Sequence, residues 1–169
     1  MENSPTYNIK DIARLILGSD DHEEFQTVWR QIQHWVMRGA LTPLGQKHPG
    51  RGRERRFDAN GVRQVYIIRE LMGYGFSIDN LYLANEILMA CRADDEWRMA
   101  IDGKKDVFMT VMWDAESDET AWDLTEDKPN LELLMLKHKK KPTSPSLMPQ
   151  QYNSAIVIAL TPLFASIEI

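Results

Sequence analysis

The sequence predicts an α+β protein: four helices broken by a basic loop, followed by a small, mainly β C-terminal region. Three observations predict it. Apolar residues recur at three- and four-residue spacing in four runs between Asn8 and Cys91. Between the second and third runs, residues 44–57 hold five Lys/Arg against one acid, and Gly and Pro break any helix there. Beyond Arg92 the helical period fades, acids accumulate and short apolar runs alternate with polar turns.

The first helix spans Asn8 to Leu17, with Ile9, Ile12, Ala13, Ile16 and Leu17 on one stripe. Asn8 is its cap, and Asp11 in the first turn suits the helix dipole. Gly18-Ser19-Asp20-Asp21 makes the turn that follows. The second helix spans 23–38. Val28, Ile32, Trp35 and Val36 form its buried stripe, and Thr27, Arg30, Gln31, His34 and Arg38 line the opposite face. Gly39 is placed to stop it. Arg and Gln are side chains that reach base edges in the major groove, although a solvated polar face has the same composition.

Pro43 and Pro49 discourage helix in the next segment, and Gly45, Gly50 and Gly52 permit a tight hairpin returning through Arg53 to Phe57. Lys47, Arg51, Arg53, Arg55 and Arg56 on such a hairpin suit phosphate contact or minor-groove insertion; a disordered basic loop is the alternative. The third helix runs from a cap at Asp58 to Met72, with Val62, Val65, Tyr66, Ile68, Leu71 and Met72 inward, and Gly73-Tyr74-Gly75 ends it. Ser77 caps the fourth, whose apolar face is Ile78, Leu81, Ala84, Ile87, Leu88 and Cys91; it frays at Asp94-Asp95-Glu96 or continues to Ala100. Val107–Trp113, Ala121–Thr125, Leu131–Lys137 and Ser154–Leu160 read as strands. Residues 139–149 (KKKPTSPSLMP) read as a connector, and Pro162 interrupts the last strand before a short strand or helical turn over Leu163–Ile169.

Net charge is −5, but it is unevenly spread. Residues 1–91 hold eleven Lys/Arg and eleven Asp/Glu, and within them 44–57 carry a local +4. Residues 92–136 hold thirteen acids and five bases, while 137–141 (KHKKK) add four positive charges. Phosphate attraction is screened within about 10 Å at 0.1 M salt, so a distant acidic region is compatible with a basic DNA-facing loop. The 169 residues, 43% hydrophobic and 27% charged, suit one domain or one small domain with an appendage. No run of about 18 apolar residues occurs, and MENSPTYNIKDIA lacks a signal-peptide pattern, so a cytoplasmic, nucleoid-associated location is expected. Cys91 is the only cysteine, which excludes an internal disulfide and a zinc site of several thiolates.

A helix with a base-reading polar face followed by a basic hairpin is the sequence form of a winged helix-turn-helix. More specifically, residues 7–90 resemble the MerR family of bacterial regulators. Tyr7-Asn8-Ile9-Lys10-Asp11-Ile12-Ala13 looks like that family's opening helix. Residues 27–35 (TVWRQIQHW) and 38–43 (RGALTP) look like its recognition helix and exit: Arg three before another polar residue, two aromatic rings, then Gly-x-x-x-Pro. Arg55-Arg56-Phe57-Asp58 matches the end of its wing, and Ile68-Arg69-Glu70-Leu71 to Gly75-Phe76-Ser77-Ile78 matches the next helix and Gly-Phe-Ser turn. The resemblance implies a DNA contact from Arg30 and from the wing arginine Arg55. Gln33 stands where the family usually has Arg. His34 and Trp35 stand at a tyrosine pair, one of which normally bonds a phosphate. Trp35 lacks a hydroxyl, so that contact comes from its indole N–H or is absent. Two departures stand out. The turn after the first helix is several residues longer, and no heptad repeat follows Cys91 to supply the family's usual dimerising coiled coil. With Cys91 the only thiol, the resemblance does not carry over the metal-sensing chemistry of some members.

An enzyme is not expected. The histidines at 22, 34, 48 and 138 are scattered, and no GxGxxG, P-loop or GxSxG occurs. The acids Asp114, Glu116, Asp118, Glu119, Asp123, Glu126 and Asp127 lack EF-hand spacing and read first as an exposed loop rather than a cation site. Trp97, Trp113, Trp122, Met109, Met112 and Met135 read as core or dimer interface before ligand pocket. The expectation is a DNA-binding domain over 5–92 and a strand-rich acidic region over 97–169 for dimerisation, a protein partner or a small ligand. The expected function is transcription regulation: a homodimer on double-stranded DNA, with helix 23–38 in the major groove and wing 44–57 on phosphates, without cofactor or metal. The alternatives are an architectural DNA binder (an excisionase-like recombination or phage-packaging factor) and a protein-interaction module on the same scaffold.

Overall fold

The computed structural model describes residues 5–18, 22–45, 54–76, 78–113, 120–129, 154–167 and 169, with the backbone alone at 78, 79, 82–84, 87, 113, 120, 121 and 154. The chain mixes helix and strand, an α+β composition. It divides into two compact units, Met1–Arg92 with Ser166–Ile169, and Ala93–Ala165. The second unit thus starts four residues before the expected 97, and the last four residues group with the first unit.

The first unit contains β1 (Tyr7–Asn8), α1 (Ile9–Leu17), α2 (His22–Arg38), β2 (Arg56–Phe57), α3 (Ala59–Gly73) and α4 (Ile78–Cys91). A capping box starts α1. Asn8 Oδ1 accepts from the N–H groups of Lys10 at 2.8 Å and Asp11 at 3.0 Å, and Asp11 Oδ2 accepts from the Asn8 N–H at 2.9 Å. At the end of α2, Gly39 takes φ 82°. The Ala40 N–H then reaches the Trp35 carbonyl at 2.9 Å and the Gly39 N–H reaches that of Val36 at 3.2 Å, satisfying two otherwise orphaned acceptors. Asp58 Oδ1 accepts the Gly61 N–H at 2.6 Å and caps α3. The Ser77 cap expected for α4 lies outside the described residues.

Helix α1 packs on α2, and α4 touches both α2 and α3. Ile12, Ala13, Ile32, Val36, Val62, Val65, Ile68, Leu71, Leu81 and Leu88 meet in this core, each fully buried. Met72, expected inward, is 40% exposed, because it sits one residue, about 100° of helix rotation, past the inward-facing Leu71. Tyr66 is half-buried, and its hydroxyl donates to the Leu15 carbonyl at 3.0 Å, one of the acceptors that the end of α1 leaves open. Arg92 ties the end of α4 to the start of α3: Nη2 donates to Gln64 Oε1 at 2.9 Å, and Nη1 lies 3.5 Å from Asp58 Oδ2. Burial pulls the Arg92 guanidinium below its usual value, and Asp58 partly offsets that.

Strand β2 holds the loop end in place. It pairs antiparallel with β1, Tyr7 opposite Phe57 and Asn8 opposite Arg56. On its other side, Leu44 bridges Arg56, with the Leu44 N–H donating to the Arg56 carbonyl at 2.7 Å. Strand alternation turns Phe57 inward, 1% exposed, and Arg56 outward. Gly61 allows α3 to lie against this strand, since a Cβ there would sit 3.0 Å from Phe57 Cβ.

The second unit contains α5 (Asp95–Asp102), β3 (Phe108–Trp113), β4 (Thr120–Thr125), β5 (Ser154–Ala159) and α6 (Leu160–Ala165). Its sheet has the order β4-β3-β5, antiparallel throughout. Val111 stands opposite Trp122 and Ile156, and Met109 opposite Leu124 and Ile158, which gathers these apolar side chains on one face. Trp97 of α5 meets Phe164 of α6 edge-to-face, centroids 5.0 Å apart. Thr161 Oγ1 accepts the Val107 N–H at 3.0 Å and donates to the Lys105 carbonyl at 2.7 Å, fixing α6 to the start of β3. Among its described residues this unit holds two helices beside the three strands. Helix α4 neither frays onward nor continues: Asp94 takes an extended conformation and a separate α5 follows. The last strand ends at Ala159, before Pro162, and of the two expected continuations the helical one follows, starting at Leu160 rather than Leu163. Pro162 occupies the first turn of α6, where its missing N–H needs no partner. The expected strand 131–137, the KHKKK run and the connector 139–149 lie outside the described residues.

Candidate nucleic-acid interface

The amphipathic period of α2 decides which of its side chains are available. Val28, Ile32, Trp35 and Val36 are buried, while Thr27, Arg30, Gln31, His34, Met37 and Arg38 are exposed along one stripe. Among the described residues, no intramolecular hydrogen bond or ion pair engages Arg30, Gln31 or His34. Their polar ends are therefore satisfied by solvent and can be exchanged for an external partner. The Thr27 hydroxyl donates to the Glu23 carbonyl at 3.1 Å, so outward it offers lone pairs and a methyl group. Gln33 lies at the edge of the stripe, half-buried.

Trp35 carried two expectations. The periodicity set it on the buried stripe, and the resemblance set it at an aromatic pair whose phosphate contact would come from its indole N–H or be absent; it is 3% exposed, with Ile32 and Val36 also buried, as the stripe expected. Burying its large apolar surface outweighs a single outward hydrogen bond. Met37, conversely, was not singled out by the sequence, yet it is 54% exposed on the stripe. The signal was available: it lies three residues after His34 and seven after Arg30.

The basic segment approaches the same surface. Arg55 is half-buried, and its Nη2 lies 3.6 Å from Met37 Sδ. Arg56 is exposed, 3.8 Å from Glu54 Oε2, and the same carboxylate oxygen accepts from Asn8 Nδ2 at 3.2 Å. An ion pair this exposed contributes little, so phosphate can replace Glu54 at low cost. Lys47, Arg51 and Arg53 lie outside the described residues. Glu23 and Glu24, exposed in the first turn of α2, stabilise its N-terminus through the helix dipole. In a groove they suit a cytosine amino group and disfavour phosphate.

Of the aromatic and sulfur residues singled out in the second unit, Trp97 and Met109 are fully buried, Met112 nearly so and Trp122 half-buried, while Met135 and the Trp113 side chain lie outside the description. Of the acidic stretch, residues 114–119 lie outside the described residues, while Asp123 and Asp127 are exposed and Glu126 pairs with Lys105. That hydrogen bond and charge raise the Lys105 ammonium above its usual value. Among the described residues no His, Cys, Asp or Glu cluster is placed to hold a metal ion, and no helix is long and apolar enough to cross a membrane. No family model matches the chain, and no curated protein matches it.

Proposed function

We propose that the chain is a sequence-specific, double-stranded-DNA-binding transcription regulator of winged helix-turn-helix type, similar in its first half to MerR-family regulators and acting as a homodimer. Helix α2 enters the major groove, where Arg30 reads guanine and Gln31 reads adenine, with Thr27, Gln33 and His34 beside them. Arg55 and Arg56, together with the arginines of the loop before them, hold phosphates. One observation carries this reading: Arg30, Gln31 and His34 stand on one exposed stripe, unengaged by any described residue, with Arg55 against the same stripe at Met37. A dimer follows from energetics, because a module of this size buries too little area for specific affinity alone.

Binding-site selection from random duplex DNA at two salt concentrations tests the proposal. An enriched inverted repeat supports a dimeric sequence reader, and its spacing measures the separation of the two α2 helices. Salt-sensitive binding without enrichment replaces regulation by an architectural role. Absence of binding at both salts removes DNA from the account and turns attention to protein partners.

A further inference from the structure

The exposed stripe of α2 is polar except at one position. Met37 presents an apolar, polarisable side chain to solvent over 54% of its surface, where Arg, Gln or Lys would serve a merely solvated face better. Its sulfur is held by the Arg55 guanidinium at 3.6 Å, so the thioether is kept between α2 and the residue that precedes β2. Along the helix axis Met37 lies about 10 Å from Arg30, roughly three base steps along a groove. The one apolar group that base edges display in the major groove is the C5-methyl of a pyrimidine: that of thymine, or of 5-methylcytosine.

We infer that Met37 contacts a pyrimidine C5-methyl group in the major groove, which makes it a specificity-determining residue at one position of each half-site. This rests on the docking of α2 proposed above. Arg55 then has two tasks, holding the thioether in register and neutralising a phosphate beside it. The polar residues of the stripe read hydrogen-bonding atoms, while Met37 reads a methyl group that no hydrogen bond can recognise. A methionine that only packs against Arg55 predicts something different, because its removal would weaken all DNA alike and leave methyl groups unread.

The test starts from the enriched duplex. Each thymine in turn is replaced by deoxyuridine, which removes the methyl and nothing else. At one position per half-site the wild type should lose about fourfold in affinity, the value of one buried methyl at roughly 0.8 kcal/mol. Met37→Ala should bind the thymine and deoxyuridine duplexes equally, and Met37→Leu should keep the discrimination; both substitutions lie at an exposed position that the fold does not need. 5-Methylcytosine at the same position distinguishes the two sources: tighter binding than thymine makes methylated cytosine the natural contact, and weaker binding makes it thymine. A wild type that recognises its site but ignores every deoxyuridine overturns the inference and leaves the major-groove reading standing. Full methyl sensitivity in Met37→Ala overturns it as well. If no site is enriched at all, the proposed function and this inference fall together.

Discussion

Arg55 and Met37 touch across two elements, the guanidinium Nη2 lying 3.6 Å from the thioether sulfur. The contact joins the basic segment to the exposed stripe of α2, and the fold holds both partners. Two residues beyond Arg55, Phe57 is anchored in the core; one residue beyond, Arg56 is paired with Asn8 on one side and Leu44 on the other. Arg55 therefore leaves the small sheet at a fixed point beside α2.

That placement makes Arg55 a backbone-neutralising residue. Arg55→Ala should weaken specific and unrelated duplexes by the same factor and lower the slope of log K against log salt by about one. Titrations at four or more salt concentrations measure both. A loss confined to one sequence would mean that Arg55 reads bases.

Arg30 should behave in the opposite way. It stands mid-stripe without a partner among the described residues, so Arg30→Ala should cost about 1–3 kcal/mol on the selected site and far less on random DNA. Repeating the site selection with the variant should show relaxed preference at one base pair. An unchanged preference would move base reading elsewhere on α2.

Much of this surface was legible in the sequence, for local reasons. Asn8 and Asp58 announce their helices because side-chain caps act within three residues, and Gly39 announces a stop because its left-handed conformation disfavours a Cβ. The polar stripe of α2 follows from periodicity alone. Trp35, which periodicity set on the buried stripe, is 3% exposed. The start of α5 and the placement of Pro162 inside α6 were not legible, because acidic and proline residues are as common in first turns as in loops. Nor was the central position of β3, which pairs with β5 across more than forty residues of sequence, and long-range pairing leaves no local mark.

Gly61 gives a stability prediction. A methyl group there would meet Phe57 Cβ at 3.0 Å and Cδ1 at 3.3 Å, and Phe57 is 1% exposed and fixed by strand pairing, so it has little room to yield. Overpacking of about 1–3 kcal/mol exceeds the roughly 1 kcal/mol that alanine gains over glycine in a helix. Gly61→Ala should lower the melting temperature by several degrees in a thermal denaturation scan. A rise would show that Phe57 moves aside freely.

Tyr66 gives a pH prediction. Burial raises its hydroxyl above the ordinary tyrosine value, and Arg69 partly opposes this. The folded state thus holds this proton more tightly than the unfolded chain does. Its contribution is complete below about pH 10 and declines as pH rises beyond that, toward the higher folded value. Tyr66→Phe should lose about 1 kcal/mol at neutral pH, the hydrogen bond to the Leu15 carbonyl. It should also show a shallower alkaline decline than the wild type in urea titrations between pH 8 and 11. Parallel declines would contradict the assignment.

The most direct test of the central claim is guanine-N7 methylation interference on the selected duplex. N7 lies in the major groove, so a methyl group there blocks an arginine reading guanine and obstructs a helix in the groove. Strong interference is expected at one or more guanines in each half-site, with the interference opposite Arg30 lost in Arg30→Ala. Binding that tolerates N7 methylation throughout the site would contradict the placement of α2 in the major groove.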